Sequence, residues 1–165
     1  MNYLVIIRGP LGIGKTTISK LLAQKLNAKY FSVDQILEQN KLDVVDQKIG
    51  CIPEENFLKV NQVIIQDILK NDQSIVVDGN FYYQNQIENL FQNISLKSFV
   101  FTLTAPLETC INRDSQRPNP HGIGATTAVY NLVSKFNFGE IIDISKLTVE
   151  ESIQIIYCAT TGLKP

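Results

Sequence analysis

Residues 9–17 read Gly-Pro-Leu-Gly-Ile-Gly-Lys-Thr-Thr, and this stretch constrains the fold more than any other. Gly9 to Thr16 fit the pattern G-x-x-x-x-G-K-[ST] in full. A short apolar, β-branched run, Tyr3 to Arg8, comes before it and predicts a buried strand. Lys15 to Leu26 follows, with Ile18, Leu21, Leu22 and Leu26 at helical spacing. Strand, glycine loop and helix in that order make an anion cradle. The glycines let the backbone curl so that its N–H groups face a phosphate, and the helix adds its positive end. Lys15 is then placed to reach the outer phosphates as a point charge, and Thr16 to offer its hydroxyl to Mg²⁺. The expected nucleotide-binding residues are Gly9, Pro10, Leu11, Gly12, Ile13, Gly14, Lys15, Thr16 and Thr17, with ATP and Mg²⁺ as ligands. The loop alone does not separate kinase, ATPase and GTPase. The Asn-Lys-x-Asp stretch that reads guanine is absent, since Asn27-Ala-Lys-Tyr is not one.

Strand and helix patterns alternate through the rest of the chain. Further strands are expected at Lys29–Val33, Ser74–Asp78, Leu96–Leu103 and Glu140–Ile144. Helices are expected at Asp34–Asn40, from Pro53 to Leu69, at Tyr83–Phe91, Pro106–Ser115 and Thr126–Phe136, and after the Thr148–Glu151 capping box. Five short buried strands separated by helices read as an open parallel sheet covered on both faces. Ligands of such sheets sit beyond the carboxyl ends of the strands. Gly9, Asp34, Asp78 and Thr104 all follow strands.

Asp78 closes the run Ile75-Val76-Val77 and could set a carboxylate beside the metal, so Thr16 and Asp78 are the expected metal residues. An Asp-Gly turn is its plainer use, and acceptor binding is another, because Gly79-Asn80 follows. Asp34 could accept the proton of an acceptor hydroxyl, or serve as a helix N-cap, or both. Arg113 and Arg117 stand four apart, which on a helix puts both guanidinium groups on one face. Aimed at a transferring phosphoryl group they would neutralise developing charge; otherwise they are an exposed face with Asp114 as partner. The Pro118–Gly124 loop that follows is rich in Gly and Pro, as a closing lid can be. A lone loop histidine such as His121 reads first as solvated, with phosphate contact as its second use. Cys110 reads as a small buried hydrophobe.

Composition removes several alternatives. With 44% hydrophobic and 19% charged residues, the 165-residue chain is too apolar for disorder and long enough for one core. A net charge of −1 gives no support to a long nucleic-acid track. Three widely spaced cysteines argue against a disulfide framework and fit a reducing cytosol, so a cytoplasmic location is expected. No apolar run is long enough to cross a membrane.

Gly9–Thr17, Asp34, Val77-Asp78-Gly79 and the segment Ala105-Pro-Leu-Glu-Thr-Cys110-Ile-Asn-Arg113-Asp114 resemble the small P-loop kinases. The likeness is nearest to AAA-domain kinases similar to polynucleotide kinase, zeta toxin and chloramphenicol phosphotransferase, and adenylylsulfate kinase has a similar Pro-Leu-Glu-x-Cys segment. The resemblance implies a three-layer αβα fold of the P-loop NTPase type. Its five-stranded parallel sheet would have order 2-3-1-4-5, in a single domain over residues 1–165 with a short lid about residues 115–125. It implies transfer of the ATP γ-phosphate to a hydroxyl of a small molecule, nucleoside or nucleic-acid end. It makes Lys15, Asp34, Arg113 and Arg117 the catalytic set. The alternative is a nucleotide-dependent ATPase or switch that acts on a protein or RNA partner.

Overall fold

Tyr3–Arg8 forms β1, which lies at the centre of a five-stranded sheet of order β2-β3-β1-β4-β5. The computed structural model describes residues 2–71 and 73–163. After β1 come α1 (Lys15–Leu26), β2 (Lys29–Ser32), α2 (Val33–Gln39), α3 (Glu54–Ile68) and β3 (Ile75–Gly79). α4 (Gln84–Asn93), β4 (Lys97–Thr104), α5 (Leu107–Ser115), α6 (Ile123–Val133), β5 (Glu140–Asp143) and α7 (Val149–Thr161) complete the order. All four strand pairings are parallel. The α/β three-layer arrangement and the strand order agree with the expectation.

The two-residue period of β1 splits its side chains between two cores. Leu4 and Ile6 face the layer of α2, α3 and α4, with Leu37, Phe57, Ile64 and Leu90. Val5 and Ile7 face the layer of α1, α5 and α7, with Leu22, Cys110 and Ile156. Burial on both sides explains why β1 reads as a continuous apolar run. Register aligns the strand ends that matter: Arg8 pairs with Gly79, Ile7 with Asp78, and Ser32 with Asp78. The ends of β1, β2 and β3 therefore present one edge.

Local differences from expectation have physical causes. β2 stops at Ser32 rather than Val33, because the Ser32 hydroxyl accepts from the Gln35 amide and starts α2 there. α6 begins at Ile123, three residues before the expected Thr126, with Gly122 as its N-cap at φ 90°. Gly124 falls in the first turn, where its amide needs no partner within the helix. α6 ends at Val133, short of Phe136, whose ring lies 4.2 Å beneath the Arg8 guanidinium instead. The Thr148–Glu151 capping box forms in both directions.

Arg8 is the largest fully buried side chain. Its Nε donates to the Phe81 carbonyl at 2.9 Å and Nη1 to Thr102 Oγ1 at 3.3 Å, and Nη2 donates to the Val133 carbonyl. Burial pulls its guanidinium down to about 10. One side chain thus ties β1, immediately before the glycine loop, to β4, α6 and the turn after β3.

Candidate active site

The loop from Gly9 to Gly14 leaves β1 and delivers the chain into α1. Gly12 and Gly14 sit at φ 74° and 100°, in the left-handed region that favours glycine. Gly12 also needs its missing side chain: a Cβ there would lie 2.1 Å from the Cys110 carbonyl oxygen of α5. The loop is seated on α5 at that point. Arg113, one turn further along α5, donates from Nη1 to the Ile13 carbonyl at 3.2 Å and holds the other side of the loop.

A cleft of about 420 Å³ opens over the loop. Leu11, Gly12, Gly14, Lys15, Thr16 and Thr17 form its floor, and Arg113, Arg117 and His121 form one wall. Ser32, Asp34 and Gln35 form the opposite wall. Of the expected loop residues, Gly9, Pro10 and Ile13 are buried behind this floor, and the Pro10 carbonyl accepts from Lys15 Nζ at 2.8 Å. Lys15 also donates to Asn80 Oδ1 at 3.0 Å. Burial lowers the lysine's proton affinity, and the carboxylates of Asp34 and Asp78 work against that.

Asp78 does not line the cleft surface. It is 2% exposed, behind Thr16, and its Oδ2 accepts from the Tyr30 hydroxyl at 3.0 Å. Burial raises its proton affinity; Lys15 and hydrogen bonds from Thr16 and Tyr30 oppose the rise. Thr16 is exposed in the cleft. Hydroxyl and carboxylate oxygens suit a hard cation, and Mg²⁺ takes most of its remaining ligands from phosphate and water. The pair therefore fits Mg²⁺. No cluster of three or more His, Cys, Asp or Glu side chains that could hold a metal alone occurs among the described residues.

Asp34 is not the N-cap of α2; Ser32 is. Asp34 stands in the first turn of that helix, exposed to the cleft. Arg113 and Arg117 do not share a helical face, because α5 ends at Ser115. The Arg117 amide closes on the Asp114 carbonyl at 3.1 Å, and Pro118 disfavours the helical conformation for the residue before it. Both arginines still reach the cleft.

Asp114 is not a solvated partner. Its side chain is 2% exposed, and it anchors the loop that follows α5. Oδ1 lies 3.0 Å from His121 Nδ1 and 3.5 Å from Arg117 Nη1, and Oδ2 accepts from the Gly122 amide at 2.9 Å. Burial alone would raise its proton affinity, but the hydrogen bonds from His121 and Gly122 and the nearby Arg117 hold the carboxyl below the usual range. His121 is thus neither simply solvated nor aimed only at phosphate.

A second cavity, about 390 Å³, adjoins the first. Leu37, Phe57, Tyr82, Val129 and Leu132 make its apolar wall. Leu11, Asp34 and His121 line both cavities and so form the partition between them. Asn80 also faces this second space. Tyr30, Asn80 and Asp114 are site residues that the sequence does not predict as such. Asn80 has a signal in its place directly after the Asp-Gly that ends a strand, and Asp114 in its place between the two arginines; Tyr30 has none.

Comparison with known proteins fits this geometry. A family model described as shikimate kinase matches residues 11–152. A shikimate kinase from Azobacteroides pseudotrichonymphae is 29% identical over 165 aligned positions, covering 91% of this chain and 95% of that one. A sugar kinase from Janibacter superposes with a TM-score of 0.74 at 16% identity, covering all of this chain and 96% of the other. The tunicamycin resistance protein of Deinococcus radiodurans superposes with a TM-score of 0.70 at 19% identity, covering 99% and 98%. Both solved structures share the fold. No helix among the described residues is long and apolar enough to cross a membrane.

Proposed function

The chain belongs to the shikimate kinase family, P-loop kinases that phosphorylate a hydroxyl group, and on that premise we propose that it transfers the γ-phosphate of Mg-ATP to a small alcohol held in the second cavity. One observation carries the reading: Asp34 stands on the wall shared by the cleft over the glycine loop and the apolar cavity beside it. A hydroxyl bound in the apolar cavity meets a carboxylate at the point where it would face a γ-phosphate.

In this reading the loop amides and Lys15 hold the β- and γ-phosphates, and Thr16 with Asp78 behind it holds Mg²⁺. The cation neutralises charge on the phosphates when bound. Asp34 orients the acceptor hydroxyl and takes its proton as the new O–P bond forms and the bond to ADP breaks. Arg113 and Arg117 sit where they would meet the equatorial oxygens of the transferring group. Asp34 rather than Asp78 serves as the base, because Asp78 is enclosed behind Thr16. One domain over residues 1–165, with its lid about residues 115–125, and a cytoplasmic location belong to the same proposal. So does the narrower likeness to polynucleotide kinase, zeta toxin and chloramphenicol phosphotransferase, which the Ala105–Asp114 segment supports. A cavity of about 390 Å³ favours a small molecule or nucleoside over a nucleic-acid end.

The test is ADP release from Mg-ATP with and without pooled hydroxyl compounds, with Lys15→Ala as the blank. Stimulation by a pool, lost in Lys15→Ala, is the expected result. Asp34→Asn should lower transfer by about a hundredfold or more while ATP binding holds. Release indifferent to every pool would favour an ATPase or switch acting on a protein or RNA partner, and an Asp34→Asn enzyme of full activity would remove the base assignment.

A further inference from the structure

The cavity beyond Asp34 is chemically one-sided. Its apolar wall comes from α2, α3, α6 and the turn after β3, through Leu37, Phe57, Val129, Leu132 and Tyr82. Its charged lining is acidic: Asp34, Glu38 and Asp43. No lysine or arginine lines it among the described residues. The nearest buried ammonium, Lys15, does not line the cavity; it is committed to the Pro10 carbonyl and to Asn80, whose side chain stands between it and this space. The arginines Arg113 and Arg117 line the phosphate cleft and not this cavity. His121, the remaining basic group, has its Nδ1 on the Asp114 carboxylate.

The adjoining recess has the same sign. A wider outer recess shares Cys51, Tyr82 and Leu132 with the inner cavity, and Asp46, Glu54 and Glu55 line it against Lys135. The segment between them folds back through a single bridge, Asp46 to Cys51, and leaves Val44, Val45 and Ile49 exposed. Val45 already lines the cavity. Exposed apolar residues of this segment therefore stand beside an apolar, acid-rimmed space.

A carboxylate or phosphate carried into this space would lose its water with no lysine or arginine to replace it, and would face three carboxylates. An uncharged ring would lie against Phe57 and Tyr82 at little desolvation cost, and an ammonium would be drawn to Glu38 and Asp43. We propose that the phosphoryl acceptor is an alcohol with an apolar ring face and no negative charge, of the nucleoside or amino-cyclitol kind, and that carboxylate acceptors such as shikimate are rejected. The proposal rests on the kinase reading above and narrows its substrate.

The experiment is initial-rate phosphorylation with Mg-ATP of three acceptor sets: shikimate, uncharged nucleosides, and amino-cyclitols. At least one uncharged or cationic set is expected to exceed shikimate in kcat/KM by about a hundredfold or more. Shikimate as good as either set, with Lys15→Ala inactive, overturns the proposal and leaves the kinase reading standing. Phosphorylation of none of the three overturns the proposal, and ADP release indifferent to every wider pool as well overturns the kinase reading. Ala128→Arg supplies the missing cation from an exposed position on α6 that lines the cavity. It is expected to raise shikimate turnover about tenfold or more relative to the unmodified chain. A folded Ala128→Arg protein with its new guanidinium in place and no gain on shikimate would show that the absent cation is not what excludes the carboxylate, and would overturn the proposal.

Discussion

Lys15 of the glycine loop donates its ammonium to Asn80 Oδ1 at 3.0 Å, which ties the start of α1 to the residue directly after β3. The bond is buried, and both side chains are at most 7% exposed. Asn80 therefore orients the lysine before any nucleotide arrives. Asn80→Ala should leave the ammonium with the Pro10 carbonyl as its one remaining protein acceptor among those described. A charged hydrogen bond of this kind is worth about 1.5–3 kcal/mol. Steady-state kinetics should show kcat/KM for ATP reduced by about tenfold to a hundredfold. Unchanged kinetics in a folded Asn80→Ala protein would mean that the lysine needs no such support.

Tyr30 and Asp78 give a pH prediction. The Tyr30 hydroxyl favours the ionised form of a carboxyl that burial otherwise pushes up. Tyr30→Phe removes that donor, so the Asp78 value should rise further. If the reaction needs Asp78 ionised, the acid limb of the kcat/KM profile moves to higher pH. The sign for stability is separate. A raised folded-state value means that this group's favourable contribution is present at low pH and is lost as pH rises through that value. Denaturant melts of Tyr30→Phe should therefore fall further below the unmodified protein above the shifted value than below it. An acid limb that does not move would place Asp78 outside the catalytic ionisation.

Asp114 has the opposite sign. Its carboxyl is held low, so its stabilising effect is present above the ordinary carboxylate value near about 3.9 and is lost as pH falls through the lower folded value. Asp114→Asn should cost about 1 kcal/mol at neutral pH and much less in strong acid. Urea unfolding at the two pH values checks this. Because the anchored loop carries Arg117 and His121, the same variant should also slow transfer several-fold.

Gly12→Ala is expected to be severe. The new methyl would sit 2.1 Å from the Cys110 carbonyl at a backbone angle of φ 74°. Overpacking costs about 1–3 kcal/mol and a left-handed alanine about 1–2 kcal/mol. Thermal melting should show a large drop, and nucleotide binding should weaken in whatever folds. Gly14→Ala meets nothing within 4 Å and should cost only its backbone strain at φ 100°.

The parts of this molecule that were legible in the sequence are those with a local cause. The glycine loop is written in consecutive residues, and β1 reveals its double burial as a run of Leu4 to Ile7 without a polar break. The strand order came from resemblance, since periodicity alone carries no neighbour information. The Lys15–Asn80 and Tyr30–Asp78 contacts depend on β3 lying between β1 and β2 in a particular register. No short pattern encodes that. Gly122-Ile-Gly124 read as loop because glycine is a poor helix former, yet Gly122 caps α6 and Gly124 occupies its undemanding first turn. The expected helix end at Ser115 is where α5 stops, so the four-residue spacing of Arg113 and Arg117 gives them no common helical face. The second cavity draws on α2, α3, α6 and four connecting segments, so no short pattern in the sequence marks it.

The seat of the glycine loop on α5 has a mechanical side. Gly12 lies against the Cys110 carbonyl, and Arg113 clasps Ile13 from the next turn of the same helix. In the last turn of the same helix, Asp114 grips His121 and the Gly122 amide. One short helix therefore touches the glycine loop at Cys110 and Arg113 and, through Asp114, holds the segment of His121 and Gly122. A shift of α5 would move the floor of the cleft and that wall together.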